Sequence, residues 1–113
     1  MSRITSHVLD IALGRAAIGL RMRLDVCIED GSFRTLSERV TNEDGRVTDL
    51  LGDAALEART YRLTFDTGEY FRGLGRPAFY PYVSVVFAVA SPAEHHHVPL
   101  LLSPFGYSTY RGT

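Results

Sequence analysis

The stretch LRMRLDVCI, from Leu20 to Ile28, alternates apolar residues with others without a break. In an extended chain successive side chains point to opposite faces, so Leu20, Met22, Leu24, Val26 and Ile28 share one face and Arg21, Arg23, Asp25 and Cys27 the other. A helix would scatter the same five apolar residues around its circumference. The segment is therefore a strand with one buried face. The period recurs in TYRLTFDT, where Tyr61, Leu63 and Phe65 point one way, and in YVSVVFAV, where Val83, Val85, Phe87 and Val89 do. Asp30-Gly31 and Asp44-Gly45 are reversal signals, and the first joins Leu20–Ile28 to FRTLSERVT as a hairpin.

Two last strands are expected in HVPLLLS, His97 to Ser103, and YSTY, Tyr107 to Tyr110, on either side of the turn Pro104-Phe105-Gly106. Proline cannot donate to a ladder, so Pro99 predicts an edge strand or a position early in one. Gly68 to Gly75 leaves room for one short helix between its glycines and Pro77. Seven or eight short strands with regular turn signals describe an all-β protein, an antiparallel β-sandwich. With 113 residues and no linker-like segment, residues 1–113 are read as a single domain. A domain of this size buries only about two-thirds of the surface its unfolded chain exposes, so oligomerisation would supplement the core.

Twelve basic and thirteen acidic residues leave a net charge of −1, which offers no footprint for nucleic acid or an anionic membrane. The segment Met1 to His7 lacks the pattern of a secretion signal, and no apolar run approaches the ~20 residues that span a bilayer. The one cysteine, Cys27, cannot pair within the chain, which suits a reducing compartment. A soluble, cytoplasmic protein is expected.

Candidate chemistry gathers on histidines. The period of two puts His95 and His97 on one face of their strand and His96 on the other, while His7 lies in the apparent first strand ITSHVLDI. Taken one at a time, such histidines are ordinary half-buried residues. Taken together, His7, His95 and His97 also suit three-histidine zinc ligation, although no spacing known to bind zinc is present. Arg46 follows an Asp-Gly turn at the rim, where a planar cation could grip an anionic or carbonyl-rich ligand, or merely be solvated. No nucleophile elbow and no phosphate-cradling glycine loop occurs.

The stretches SHVLDIALGRAA, TNEDGRV and HVPLLLSPFGYSTYRGT, taken together, resemble the 5-hydroxyisourate hydrolase family, the transthyretin-related enzymes of purine breakdown. GEYF and FYPYVSVVF between them read the same way, so the likeness spans nearly the whole chain. The resemblance implies a transthyretin-like sandwich of two four-stranded sheets with one short helix. It implies a homotetramer, a dimer of dimers, with sites at the dimer–dimer interface. It also implies a cofactor-free, metal-free reaction, the hydrolytic opening of 5-hydroxyisourate to 2-oxo-4-hydroxy-4-carboxy-5-ureidoimidazoline. Carried over by motif, His7, His97 and Arg46 are the catalytic residues, with His7, Arg46, Tyr110 and Thr113 binding substrate. A cyclic amide needs an activated water, a donor for the developing oxyanion and groups that orient a flat polar ring, which this set can supply.

The chain departs from the family pattern in three places. Thr113 replaces a terminal serine, Ala16 replaces a proline read as lying in a loop, and His96 replaces a tyrosine, with an expected effect on packing more than on catalysis. The rival readings are a small-molecule carrier built on the same sandwich and a zinc-binding sandwich. His7, Arg46, His97 and the Tyr-Arg-Gly-Thr end resemble the enzyme and not the carrier.

Overall fold

The computed structural model describes residues 3–113; Met1 and Ser2, where the segment read for a secretion signal begins, lie outside the described residues. The nine strands among the described residues are β1 (Ile4–Asp10), β2 (Arg15–Ala16), β3 (Arg21–Cys27), β4 (Phe33–Val40), β5 (Arg46–Val47), β6 (Thr60–Phe65), β7 (Val83–Ala88), β8 (His96–Ser103) and β9 (Gly106–Thr109). One helix, α1 (Thr67–Gly73), lies between β6 and β7. One sheet runs β2-β1-β8-β9, with β5 also paired to β1; the other runs β4-β3-β6-β7.

The alternation seen in the sequence is what closes this sandwich. In β1, Ile4, Ser6, Val8 and Asp10 are buried while Thr5, His7 and Leu9 face outward. Met22, Leu24 and Val26 of β3 and Tyr61, Leu63 and Phe65 of β6 meet them in the core, joined by Leu100 and Leu102 of β8. Tyr61 is fully buried, and its hydroxyl accepts a hydrogen bond from the Glu57 backbone N–H at 3.0 Å, which relieves the cost of enclosing a polar atom.

Four features differ from the expected pattern. The first sheet holds a fifth strand, because Arg46 and Val47 pair with His7 and Ser6 along the edge that β2 shares further on. The pairing of β1 with β8 is parallel, and alternation cannot foretell it, since it fixes which face is buried and not which strand is the neighbour. Pro99 is neither at an edge nor early: it sits fourth in β8, between β1 and β9. It is tolerated because the β8–β9 ladder is interrupted there. Regular pairing stops at Leu100↔Thr109 and resumes only at the bridge His97↔Gly112, and the Thr109 hydroxyl donates to the Pro99 carbonyl at 2.7 Å. Ala16 lies in a strand, opposite Leu9, not in a loop.

Helix α1 buries Phe71 and is pinned to the first sheet through Asp10, which is fully buried at the end of β1. The Asp10 carboxylate receives Arg76 Nη1 at 2.6 Å, the Tyr70 hydroxyl at 2.9 Å and the Leu13 backbone N–H at 3.1 Å. Burial by itself would raise the Asp10 pKa, but the hydrogen bonds from Arg76 and Tyr70 outweigh it and hold the carboxyl below its usual range. Burial and the same contact push the Tyr70 hydroxyl up to about 12.

Candidate active site

Strand register brings together residues far apart in the chain. On β1, His7 stands opposite Arg46 of β5, and Thr5 stands opposite His97 of β8. Because Thr5 and His7 are the outward residues of β1, these side chains gather on the outer face of the first sheet, away from the core. His95 joins them: its ring centroid is 6.2 Å from that of His97.

Each group is held by its own local chemistry. His7 Nε2 lies 2.8 Å from the Asp44 carbonyl oxygen. A carbonyl only accepts, so Nε2 carries a proton, and whenever the ring is neutral Nδ1 is its free acceptor. The turn that presents Asp44 and Arg46 is built by Asn42, whose side-chain oxygen accepts the N–H groups of Asp44 at 2.9 Å and Arg46 at 3.0 Å. Gly45 within it has φ +74° and its position for a Cβ is filled by the Val8 carbonyl, so only glycine closes this turn onto β1. Among the described residues, the exposed Arg46 guanidinium forms no ion pair, which leaves it available to a ligand.

His97 is half-buried, and its Nδ1 lies 2.7 Å from the Thr5 hydroxyl. Burial, then the Arg46 cation and repulsion from the neighbouring His95 and His7 rings whenever these are protonated, hold its pKa below the usual 6.5. A neutral imidazole at neutral pH is the state that can take a proton from water. The C-terminal tail covers it: Gly112 donates its N–H to the His97 carbonyl at 2.8 Å, and a Cβ on Gly112 would stand 2.5 Å from His97 Cδ2. Arg111 pairs with Glu94 at 2.9 Å, further along the same tail. The tail is thus fastened to the strand that carries the histidines.

The remaining expected site residues are placed differently. Tyr110 is exposed and makes no hydrogen bond with His7 or Arg46; with His96, His97 and Thr109 it lines a groove of about 330 Å³ against Val85 and Phe87 of β7. Thr113 is exposed just beyond the Gly112 bridge. His96 faces the interior, as the alternation requires, with its Nδ1 buried and unpartnered. No cluster of three or more groups disposed to hold a metal occurs among the described residues, so His7, His95 and His97 do not form the three-histidine set weighed above. The sequence reading missed Thr5, Asn42 and the Asp44 carbonyl. Asx-turn chemistry in Asn-Glu-Asp-Gly signals the second of these; Thr5 has no local signal, since its partners lie ninety residues away.

Fold and site together define a transthyretin-type sandwich that displays a polar, cationic site on one sheet face, where two imidazoles and an arginine converge. A model of the HIUase/Transthyretin family matches residues 4–112, and the chain belongs to that family. It is 49% identical to 5-hydroxyisourate hydrolase 2 of Rhizobium meliloti over 98% of this chain and 96% of that one. The Klebsiella pneumoniae 5-hydroxyisourate hydrolase structure is similar with a TM-score of 0.83 and 35% identity, covering 97% and 92% of the two chains. Sea bream transthyretin, solved with thyroxine, is similar with a TM-score of 0.93 and 28% identity, covering 99% and 96%.

Proposed function

We propose that this protein is a 5-hydroxyisourate hydrolase, and that residues 1–113 act as one catalytic domain. The observation that carries the reading is the convergence of His7, Arg46 and His97 on one sheet face, in a chain whose relatives bear that name. The transthyretin likeness fixes the fold and does not choose between enzyme and carrier. What favours the enzyme is the chemistry of the face: two imidazoles and an unpaired guanidinium suit a polar heterocycle undergoing proton transfer.

In the proposed reaction, neutral His97 takes a proton from water as the oxygen attacks a ring carbonyl of 5-hydroxyisourate. Arg46 donates hydrogen bonds to the substrate oxygens and stabilises the oxyanion as it grows. His7, with its proton on Nε2 bound to Asp44, presents Nδ1 to the substrate or to the product of attack. The ring C–N bond then breaks, the nitrogen takes up a proton, and 2-oxo-4-hydroxy-4-carboxy-5-ureidoimidazoline leaves. Tyr110 and Thr113 are assigned to substrate binding, and no metal or cofactor enters any step.

The assembly is proposed to be a homotetramer, a dimer of dimers. Large apolar side chains at Ile11, Leu13, Ile18, Phe79 and Phe105 are exposed on the single chain, a burden that association would remove. A cytoplasmic setting is proposed; among the described residues no helix is long and apolar enough to cross a membrane.

The test is to generate 5-hydroxyisourate in place from urate with urate oxidase and to follow its ultraviolet decay. Accelerated decay with the wild-type protein, lost in His97→Ala and Arg46→Ala, is the expected result. A folded protein that leaves the decay rate unchanged would overturn the reading and direct attention to channel ligands.

A further inference from the structure

The Thr5 hydroxyl is shared between two imidazoles. Its Oγ1 lies 2.7 Å from His97 Nδ1 and 2.8 Å from His95 Nε2. A hydroxyl has one proton, so it can donate to only one of these nitrogens, and the other must carry a hydrogen and donate to it. Only two arrangements of the neutral chain satisfy both contacts. In the outward one, His97 Nδ1–H donates to Thr5 and Thr5 donates to His95 Nε2, which leaves His97 Nε2 with a free lone pair. In the inward one both bonds reverse, and His97 carries its proton on Nε2. The two rings therefore cannot choose their tautomers independently.

We propose that Thr5 and His95 are positioning residues that form a proton chain with His97, setting the tautomer in which His97 acts and carrying its proton to solvent. The inference rests on His97 being the group that accepts a proton from water. When His97 Nε2 takes the water proton, its Nδ1 proton passes to Thr5 Oγ1, and the Thr5 proton passes to His95 Nε2. One proton has entered at His97 and one has arrived at His95, whose Nδ1 already bears hydrogen, so the positive charge ends on His95. That is the favourable place for it. His95 is exposed, whereas His97 is half-buried beside the cation of Arg46 on β5 and the His7 ring on β1. Of the other charged residues close by, Arg111 of the tail and Glu94 are paired with each other, Arg3 donates to the Ala93 carbonyl, and Asp44 meets His7 through its backbone carbonyl.

The chain makes a prediction that simple electrostatics does not. Once His95 is protonated, both of its nitrogens bear hydrogen, the chain can only run inward, and neutral His97 must hold its proton on Nε2. Charge repulsion between the rings would move a titration but would not dictate a tautomer. The experiment uses the full-length protein with ¹⁵N-labelled histidine and long-range ¹H–¹⁵N spectra recorded across the titration of His95. In the wild type the His97 tautomer is expected to shift away from Nε2–H as His95 loses its proton. The shift is expected to vanish in Thr5→Val and His95→Phe and to return in Thr5→Ser, with backbone amide spectra reporting that each variant is folded.

In the ultraviolet assay Thr5→Val and His95→Phe should lower kcat on the order of 10²-fold with KM unchanged, and Thr5→Ser should restore it. A His97 tautomer that ignores His95 in the wild type overturns the proposal, and so does a tautomer shift abolished by Thr5→Val with kcat unaltered. Wild-type protein that shows the coupling but does not hasten the decay would instead sink the hydrolase reading and leave the proton chain standing.

Discussion

His97 and the glycine against it show how few atoms decide the site. The imidazole is held below its ordinary pKa of 6.5 by burial and by Arg46, His95 and His7, so it stays neutral to lower pH than a free histidine would. A reaction that needs the neutral base should therefore lose kcat/KM on an acid limb with its midpoint below pH 6.5, which a pH–rate profile of the wild type reads, and Arg46→Gln, which removes a repelling cation, should move the His97 titration upward, read by NMR. Gly112→Ala places a methyl 2.5 Å from His97 Cδ2, so either the ring or the tail must give way. The expected outcome is a stable sandwich with sharply reduced turnover, checked by thermal unfolding beside the decay assay. Gly45→Ala should instead weaken folding, because φ +74° strains any other residue by about 1–3 kcal/mol even before the Val8 carbonyl is met. Of these residues, His7, Arg46 and His97 were legible in the sequence through their motifs. The purpose of Gly112 was not, since its steric neighbour His97 lies fifteen positions earlier, in β8.

At the scale of elements, the strands follow from alternation, and the helix from what anchors it. Asp10 closes β1 and receives Tyr70 of α1 and Arg76 just beyond it, so a buried carboxylate ties the first sheet to the helix. Its folded pKa lies below the unfolded one near 3.8, and its stabilisation is thus present above that value and lost as pH falls through the folded pKa. Asp10→Asn strands the Arg76 cation and should cost about 3–5 kcal/mol at neutral pH, and the deficit should shrink in acid. Tyr70→Phe, which removes one hydrogen bond to a charged group, should cost about 1.5–3 kcal/mol. Urea unfolding at pH 7 and at pH 3 checks the sizes and the sign. Sequence patterns located both strand and helix but not this link, because Asp10 at the end of an apolar run reads as a solvated terminus until the fold encloses it.

The whole molecule is a sandwich whose inner faces make the core and whose outer face, on one sheet, carries the proposed site. Removing Tyr110 to Thr113 should abolish ring opening while the strands β1 to β9 remain folded, since the tail lies beyond β9 and is held by the Gly112 bond to β8, the Arg111–Glu94 pair and surface contacts of Tyr110, with none of its residues in the core. Circular dichroism together with the decay assay distinguishes that outcome from unfolding. Sedimentation should give four chains per particle, and dilution to monomers should remove activity with them. Alternation and regular turn signals together pointed to a β-sandwich, and the fixed period of the pleat determined which strand face turns inside and that His96 turns away from His95 and His97. Motif resemblance added the histidines, the arginine and the tail. Only the tertiary structure decided that β1 lies parallel to β8, that Pro99 sits in a central strand, and that Thr5 joins two imidazoles. Pairing between strands is a contact across the whole length of the chain, and no local periodicity encodes which strand a given edge will meet.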